Sequence, residues 1–310
     1  MLQRKLYPEF SWSLSRHKTL MDCSRKYGFH YYFSHSGWFN DSPDLAKQTY
    51  RLKKITNLPI LFGEVLHSII EKVIKDYQQS AFIPAEEELV SFIRKSLNTA
   101  FIDSTRHQEE WTQRPKYYKM LHEIYYYGEL EEADIKEMED RLAVCVKNFL
   151  ASKSFTDITS KKEMQFVQSE EFRTLTLFGV KVFVVIDFLY KDLKEDKWII
   201  VDWKTGKETM EDRNQLALYA LYLKEKYKVP LEKIEIRNEY LLTGNCQQYY
   251  LKEIDLQHVL QRMEMSLTEM GKYVLDEDTN EPIDLEFFSK TEYTKKCLKC
   301  NYKELCEEGC

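Results

Sequence analysis

The stretch KWIIVDWK, residues 197–204, constrains this chain most. Trp198, Ile199 and Ile200 form a short apolar run of the kind covered on both faces in a sheet. Asp202 and Lys204 close it. An unpaired carboxylate at the end of a buried strand costs several kcal/mol, so something must neutralise Asp202. A metal ion is one candidate.

A second carboxylate comes from the segment upstream. RTLTLFGVKVFVVIDFLY (173–190) is also β-rich, and the two segments flank the turn KDLKED. A hairpin centred between Lys194 and Glu195 sets Asp187 opposite Asp202. Cross-strand partners share a face, and alternation puts Lys204 on that face too. Two carboxylates that close cannot both stay ionised without a cation between them. Oxygen-rich sites suit Mg²⁺ or Mn²⁺. A surface hairpin with a salt bridge accounts for a D-x-K pattern equally well. The upstream aspartate and the apolar surroundings weigh toward a site.

Periodicity organises the rest. Leu20, Cys23, Tyr27 and Tyr31 are spaced as one helix face, and YYFSHSGWFNDSPD reads as loop. Leu66, Ile69, Ile70, Val73, Ile74 and Tyr77 predict a helix over 63–77. Residues 85–152 read as helical throughout. From Glu163 the chain turns β-rich, with turns at Phe178-Gly179 and between Lys191 and Lys197. A helix follows over 212–227, then a strand in KIEIRNEYLLT, a helix from about Leu256 and a Lys- and Cys-rich tail. Helices, three strands, helix, strand imply an α/β or α+β core with a helical insertion. His67 lies in phase with the buried face of its helix. Gln215 and Tyr219 sit four apart on one face of theirs. Both patterns also suit plain core packing.

The net charge of −6 excludes a globally basic nucleic-acid binder. It leaves room for the local clusters RHK (16–18), RK (25–26), RLKK (51–54) and KK (161–162). The acidic run 129–140 reads as a solvated helix face. No apolar run approaches the ~18 residues of a membrane helix, and the N-terminus lacks a signal-peptide core, so a cytoplasmic protein without membrane contact is expected. Seven cysteines include Cys297, Cys300, Cys306 and Cys310 in the tail. A C-x2-C pair in such a compartment points to metal rather than disulfide. Zinc or an iron–sulfur cluster would each accept four tail thiolates.

Taken together, these segments resemble the RecB-type nucleases of the PD-(D/E)XK superfamily, in the iron–sulfur branch that includes the AddB nuclease domain and CRISPR-adaptation nucleases. WSLSRHKTLMDCSRKYGFHYY resembles the opening helix with the first cluster cysteine, Cys23. GEVLH resembles G-x-x-x-H, with His67. VVIDFLY and VDWKTGK resemble the metal strand and D-x-K motif, with Asp187, Asp202 and Lys204. QLALY resembles Q-x-x-x-Y, with Gln215 and Tyr219. CLKCNYKELC resembles C-x2-C-x5-C, with Cys297, Cys300 and Cys306. Val185 stands where the family usually has glycine, and Trp203 where tyrosine is common.

The resemblance implies a PD-(D/E)XK restriction-endonuclease-like fold, a mixed sheet flanked by helices. It implies Mg²⁺ or Mn²⁺ on His67, Asp187, Asp202 and the Trp203 carbonyl, with Lys204, Gln215 and Tyr219 assisting. A [4Fe–4S] cluster would sit on Cys23, Cys297, Cys300 and Cys306. Zn²⁺ on the four tail cysteines is the alternative. One nuclease domain over 1–310 would comprise an N-terminal part (1–62), a core (63–77 and 160–255), a helical insertion (78–159) and a C-terminal helix and tail (256–310). The substrate would be DNA, single-stranded or with free ends, cut by a single-strand-preferring exonuclease in repair, recombination or defence. A helicase or defence-complex partner fits that setting. Arg25, Tyr31, Trp38 and Lys53, with Phe39, could track a strand by phosphate contacts and stacking. Aromatic core packing explains the same rings. The rival of another class is an idle DNA-binding scaffold of the same fold.

Overall fold

The computed structural model describes residues 5–160, 163–169, 172–209 and 212–306, less the side chains of 168, 169, 172, 173, 213 and 214. The Lys161-Lys162 cluster and Cys310 lie outside the described residues. In chain order, strand β1 (Ser11–Trp12) precedes helices α1 (Leu14–Asp22), α2 (Ser24–Gly28) and α3 (Asp44–Lys53). Strand β2 (Ile55–Thr56) leads into α4 (Leu58–Ser80), α5 (Glu86–Arg106) and α6 (Gln108–Gln113). Strand β3 (Met120–Leu121) leads into α7 (His122–Tyr127), α8 (Glu132–Leu150) and α9 (Lys153–Ser160). Then come β4 (Met164–Ser169), β5 (Phe172–Leu177), β6 (Val180–Val185), β7 (Phe188–Asp192) and β8 (Lys197–Lys204). The chain closes with α10 (Asp212–Tyr227), β9 (Ile234–Tyr240), β10 (Asn245–Tyr249), α11 (Glu253–Gly271), β11 (Val274–Asp276), β12 (Glu281–Pro282) and α12 (Thr294–Cys297).

The central sheet is mixed, in the order β10-β9-β8-β7-β4. Strand β8 pairs antiparallel with β7 and parallel with β9, and α10 makes the crossover between the parallel pair. The expected hairpin register holds: Phe188 faces Val201, Leu189 faces Ile200, and so on to Asp192 against Lys197. Alternation along β8 feeds two cores. Ile200 packs with Leu216, Ala220 and Leu223 of α10 and Met263 of α11. Ile199, Val201 and Trp203 pack with Phe62 and Ile70 of α4 and Leu142 and Phe149 of α8. Helices therefore cover both faces of the sheet, and residues 78–159 supply part of one core.

Several elements differ from expectation. The stripe Leu20 to Tyr31 is not one helix. Cys23 is extended, ends α1 with its N–H on the Thr19 carbonyl, and caps α2 by accepting the Lys26 N–H on its sulfur at 3.4 Å. A π-helical turn over Phe29–Phe33 follows. Helix α4 begins at Leu58 rather than 63, because Asn57 caps it by accepting the Ile60 N–H at 2.9 Å. The 85–152 stretch is interrupted at residues 114–121, where β3 pairs with β2. The expected strand through VVIDFLY is two strands: β6 joins β1 and β5 in a small sheet, and the chain crosses to the central sheet at Ile186-Asp187. Among the described residues no helix is long and apolar enough to cross a membrane.

Candidate active site

Asp187 sits where the chain passes between the two sheets. Its carboxylate takes the place of ladder backbone, with Oδ2 accepting the Trp203 N–H at 3.0 Å. The same oxygen lies 3.2 Å from Nδ1 of His67, which projects from α4. Gly63, one turn earlier on α4, lies against Thr205, so the helix covers the end of β8. Asp202 is 2 % exposed, and its Oδ2 lies 2.6 Å from the Lys204 ammonium without an aligned hydrogen bond. Lys204 Nζ donates to Gln215 Oε1 at 2.9 Å, and Gln215 in turn donates to the Tyr219 hydroxyl. Gln215 thus holds the lysine, and Tyr219 holds Gln215.

Burial raises the Asp202 pKa, the nearby Asp187 raises it further, and Lys204 offsets only part of this. Burial also works against charge on Asp187, but His67, Lys204 and the Trp203 N–H outweigh it and hold that pKa below the ordinary carboxylate value. Asp187 is therefore held charged, while burial and its neighbour work against charge on Asp202. Burial lowers the Lys204 pKa, yet Asp202 and Asp187 more than restore it, so the lysine stays protonated. Among the described residues no three His, Cys, Asp or Glu side chains close on one point as metal ligands. The two carboxylates are instead held by protein partners. The donor set still fits a hard divalent ion: a buried and a half-buried carboxylate, an imidazole in contact with the latter, and an Asp202 oxygen without a hydrogen bond.

Residues not singled out in the sequence complete this face. Asn238 and Tyr240 of β9 pair with Asp202 and Lys204, and Asn238 donates to the Tyr240 hydroxyl at 3.2 Å. Tyr240 donates to Asp212 Oδ2 at 2.8 Å. The alternation in KIEIRNEY signals that these two share a face. Nothing in it signals the parallel pairing with β8.

The ends of the chain meet at a second site. A cavity of about 360 Å³ is lined by Cys23, Cys297, Cys300 and Cys306 with several lysines. Cys300 accepts the Tyr302 N–H at 3.4 Å. Burial raises the pKa of the Cys300 and Cys306 thiols, and the other sulfurs add to it at Cys306. Cys23, Cys300 and Cys306 are free thiols, whereas Cys297 is disulfide-bonded. The donors suit a thiolate-bound cluster once Cys297 is reduced. Of the strand-tracking residues, Tyr31, Trp38, Phe39 and Lys53 line one groove. Arg25 is elsewhere, donating to the Phe288 carbonyl at 2.6 Å.

Paired acidic groups and a lysine at the ends of mixed-sheet strands are the build of a hydrolase that works on charged esters. Over residues 11–307 the chain matches the family model of the PD-(D/E)XK nuclease superfamily, and it belongs to that superfamily. A comparison with curated proteins returns no match.

Proposed function

We propose that this chain is a Mg²⁺- or Mn²⁺-dependent deoxyribonuclease. The observation that carries the reading is the pairing of half-buried Asp187 with buried Asp202, with Lys204 on Asp202. His67, Asp187, Asp202 and the Trp203 carbonyl would hold the divalent ion. Bound there, it would polarise the scissile phosphate and acidify the attacking water. Lys204, held by Gln215, offers a fixed positive charge to the phosphate oxygens as negative charge builds on them. The His67 contact keeps Asp187 charged and oriented. A single-strand-preferring exonuclease acting in the cytoplasm, in repair, recombination or defence, is the finer form of this reading.

We also propose a [4Fe–4S] cluster on Cys23, Cys297, Cys300 and Cys306, supported by their common cavity. That assignment takes Cys23 as a ligand, which a zinc site confined to the tail does not. The same convergence supports reading 1–310 as one nuclease domain closed by its own ends.

End-labelled single- and double-stranded DNA with Mn²⁺ tests the activity. Cleavage should occur with Mn²⁺ or Mg²⁺, stop in EDTA, and fall by at least about a thousandfold in Asp202→Ala. Cleavage at the wild-type rate in Asp202→Ala, or in excess EDTA, removes the assigned site. A wild-type chain that binds DNA and cuts none is the idle scaffold instead.

A further inference from the structure

A groove of about 800 Å³ runs between the N-terminal helices and the loop after α6. Separate parts of the chain send cations into it. Arg16 comes from α1, Lys47, Arg51 and Lys53 from α3, Lys54 from the residue after it, and Arg114 and Lys116 from the loop. No aspartate or glutamate is among its described lining residues. A cleft lined by one sign of charge focuses field on an oppositely charged ligand and repels itself when empty.

That repulsion is felt inside the protein. Burial, then Arg16 and Lys54, pull the Lys53 pKa down to about 8. Burial, then Lys116 and Lys119, lower that of Lys54. His30, beneath the groove, is pushed down to about 3 by burial and then by four cations, Lys53 first. Lys53 is anchored inward, donating to the His30 carbonyl at 2.7 Å. Arg114 and Lys116 are exposed, and Lys54 is partly so.

Aromatic rings stand among the charges. Trp38 is 52 % exposed and Tyr117 is 77 % exposed. Tyr50 packs edge-on against Trp38 at 5.6 Å and carries the Lys54 ammonium 5.3 Å above its face. Gly37 lets the Trp38 loop press onto α3, since a Cβ there would meet the Ala46 carbonyl at 2.0 Å. The groove is joined to the acidic site through the chain. Lys54 leads through β2 into α4, and His67 lies ~14 Å along that helix from Leu58 at 1.5 Å per residue.

We propose, resting on the nuclease reading above, that this groove is a binding track for single-stranded DNA. Lys54, Arg51, Arg114 and Lys116 take its phosphates, and Trp38 and Tyr117 stack its bases. Exposed rings need bases with free faces, which a single strand offers and a duplex keeps stacked inside. Seven lining cations exceed what one small anion requires.

The full chain in EDTA, titrated with labelled oligo(dT) and with a labelled duplex at several salt concentrations, tests this. Lys54→Glu with Arg114→Glu should weaken oligo(dT) binding at least tenfold. The log K against log[salt] slope should flatten by about 1.4, two phosphates at about 0.7 each. Trp38→Ala should weaken it about fivefold or more, the low end for one lost stack. With Mn²⁺ restored, each variant should hydrolyse bis(p-nitrophenyl) phosphate like wild type, because that substrate needs only the acidic site. Unchanged oligo(dT) affinity in the charge-reversed variant overturns the proposal. So does an equal loss for duplex with no effect of Trp38→Ala. Groove-dependent oligo(dT) binding by a wild-type chain that hydrolyses neither substrate supports the track and refutes the nuclease reading alone.

Discussion

At Lys204 one ammonium lies against the buried Asp202 carboxylate and is itself steered by Gln215. Its side chain is 22 % exposed and that of Asp202 is 3 % exposed, so solvent screens the pair weakly. Removing one partner from such a pair leaves an uncompensated buried charge. Lys204→Ala should therefore lower folding stability by about 3 kcal/mol without divalent ions, as read by urea unfolding. Adding Mg²⁺ should recover part of that loss, and more than it adds to wild type, because the ion replaces the missing positive charge. A variant as stable as wild type, or one indifferent to Mg²⁺, would show that the carboxylates are not competing for a cation. Cleavage should be lost in the same variant even where Mg²⁺ restores its fold.

Helix α4 carries His67 to the acidic face, and its direction is set six residues before Gly63. The Asn57 side chain satisfies a first-turn N–H, and Leu58, Leu61 and Phe62 bury the turn that follows. The apolar stripe from Leu66 onward marks the helix, but a cap is a local geometry that periodicity does not report. Asn57→Ala should cost about 1 kcal/mol and lower the melting temperature by about 2 °C. Fluorescence-monitored melting checks it, and no shift would mean that packing alone starts α4. The break at Cys23 has a similar origin. Spacing of three and four residues fits a helix, yet the cysteine leaves helical geometry and its sulfur takes an N–H of the next one.

Over the whole molecule, residues near both ends line one cavity around Cys23, Cys297, Cys300 and Cys306. A link from Cys23 to the tail closes a loop of nearly the full chain. In the chain-entropy model, closing loops beyond about 100 residues restricts the unfolded state by roughly 5 kcal/mol. Protein purified without oxygen should be brown, with about four irons per chain. Cys23→Ser should bleach it and destabilise the entire fold rather than the tail alone. A colourless protein with one zinc per chain, and a Cys23→Ser variant as stable as wild type, would reassign the tail cysteines.

The hairpin around Lys194 was legible from the residues alone, because a strand has a period of two and one turn sets every opposed pair. That placed Asp187, Asp202 and Lys204 together, and the four-residue helical repeat put Gln215 and Tyr219 on one face. Helix α10 and strand β8 likewise follow from local pattern, and their ends fall where the residues say. What pattern could not supply were relations between distant segments. The split of VVIDFLY into two sheets depends on β1, more than 160 residues upstream, pairing with β6. The parallel partner β9, which brings Asn238 and Tyr240 beside Asp202 and Lys204, depends on a crossover rather than a turn. The cationic groove gathers α1, α3 and the loop after α6, whose charges are scattered in an acidic chain. Local periodicity is a property of a few consecutive residues, whereas these pairings are chosen by burial of the whole core, and only the folded chain decides them.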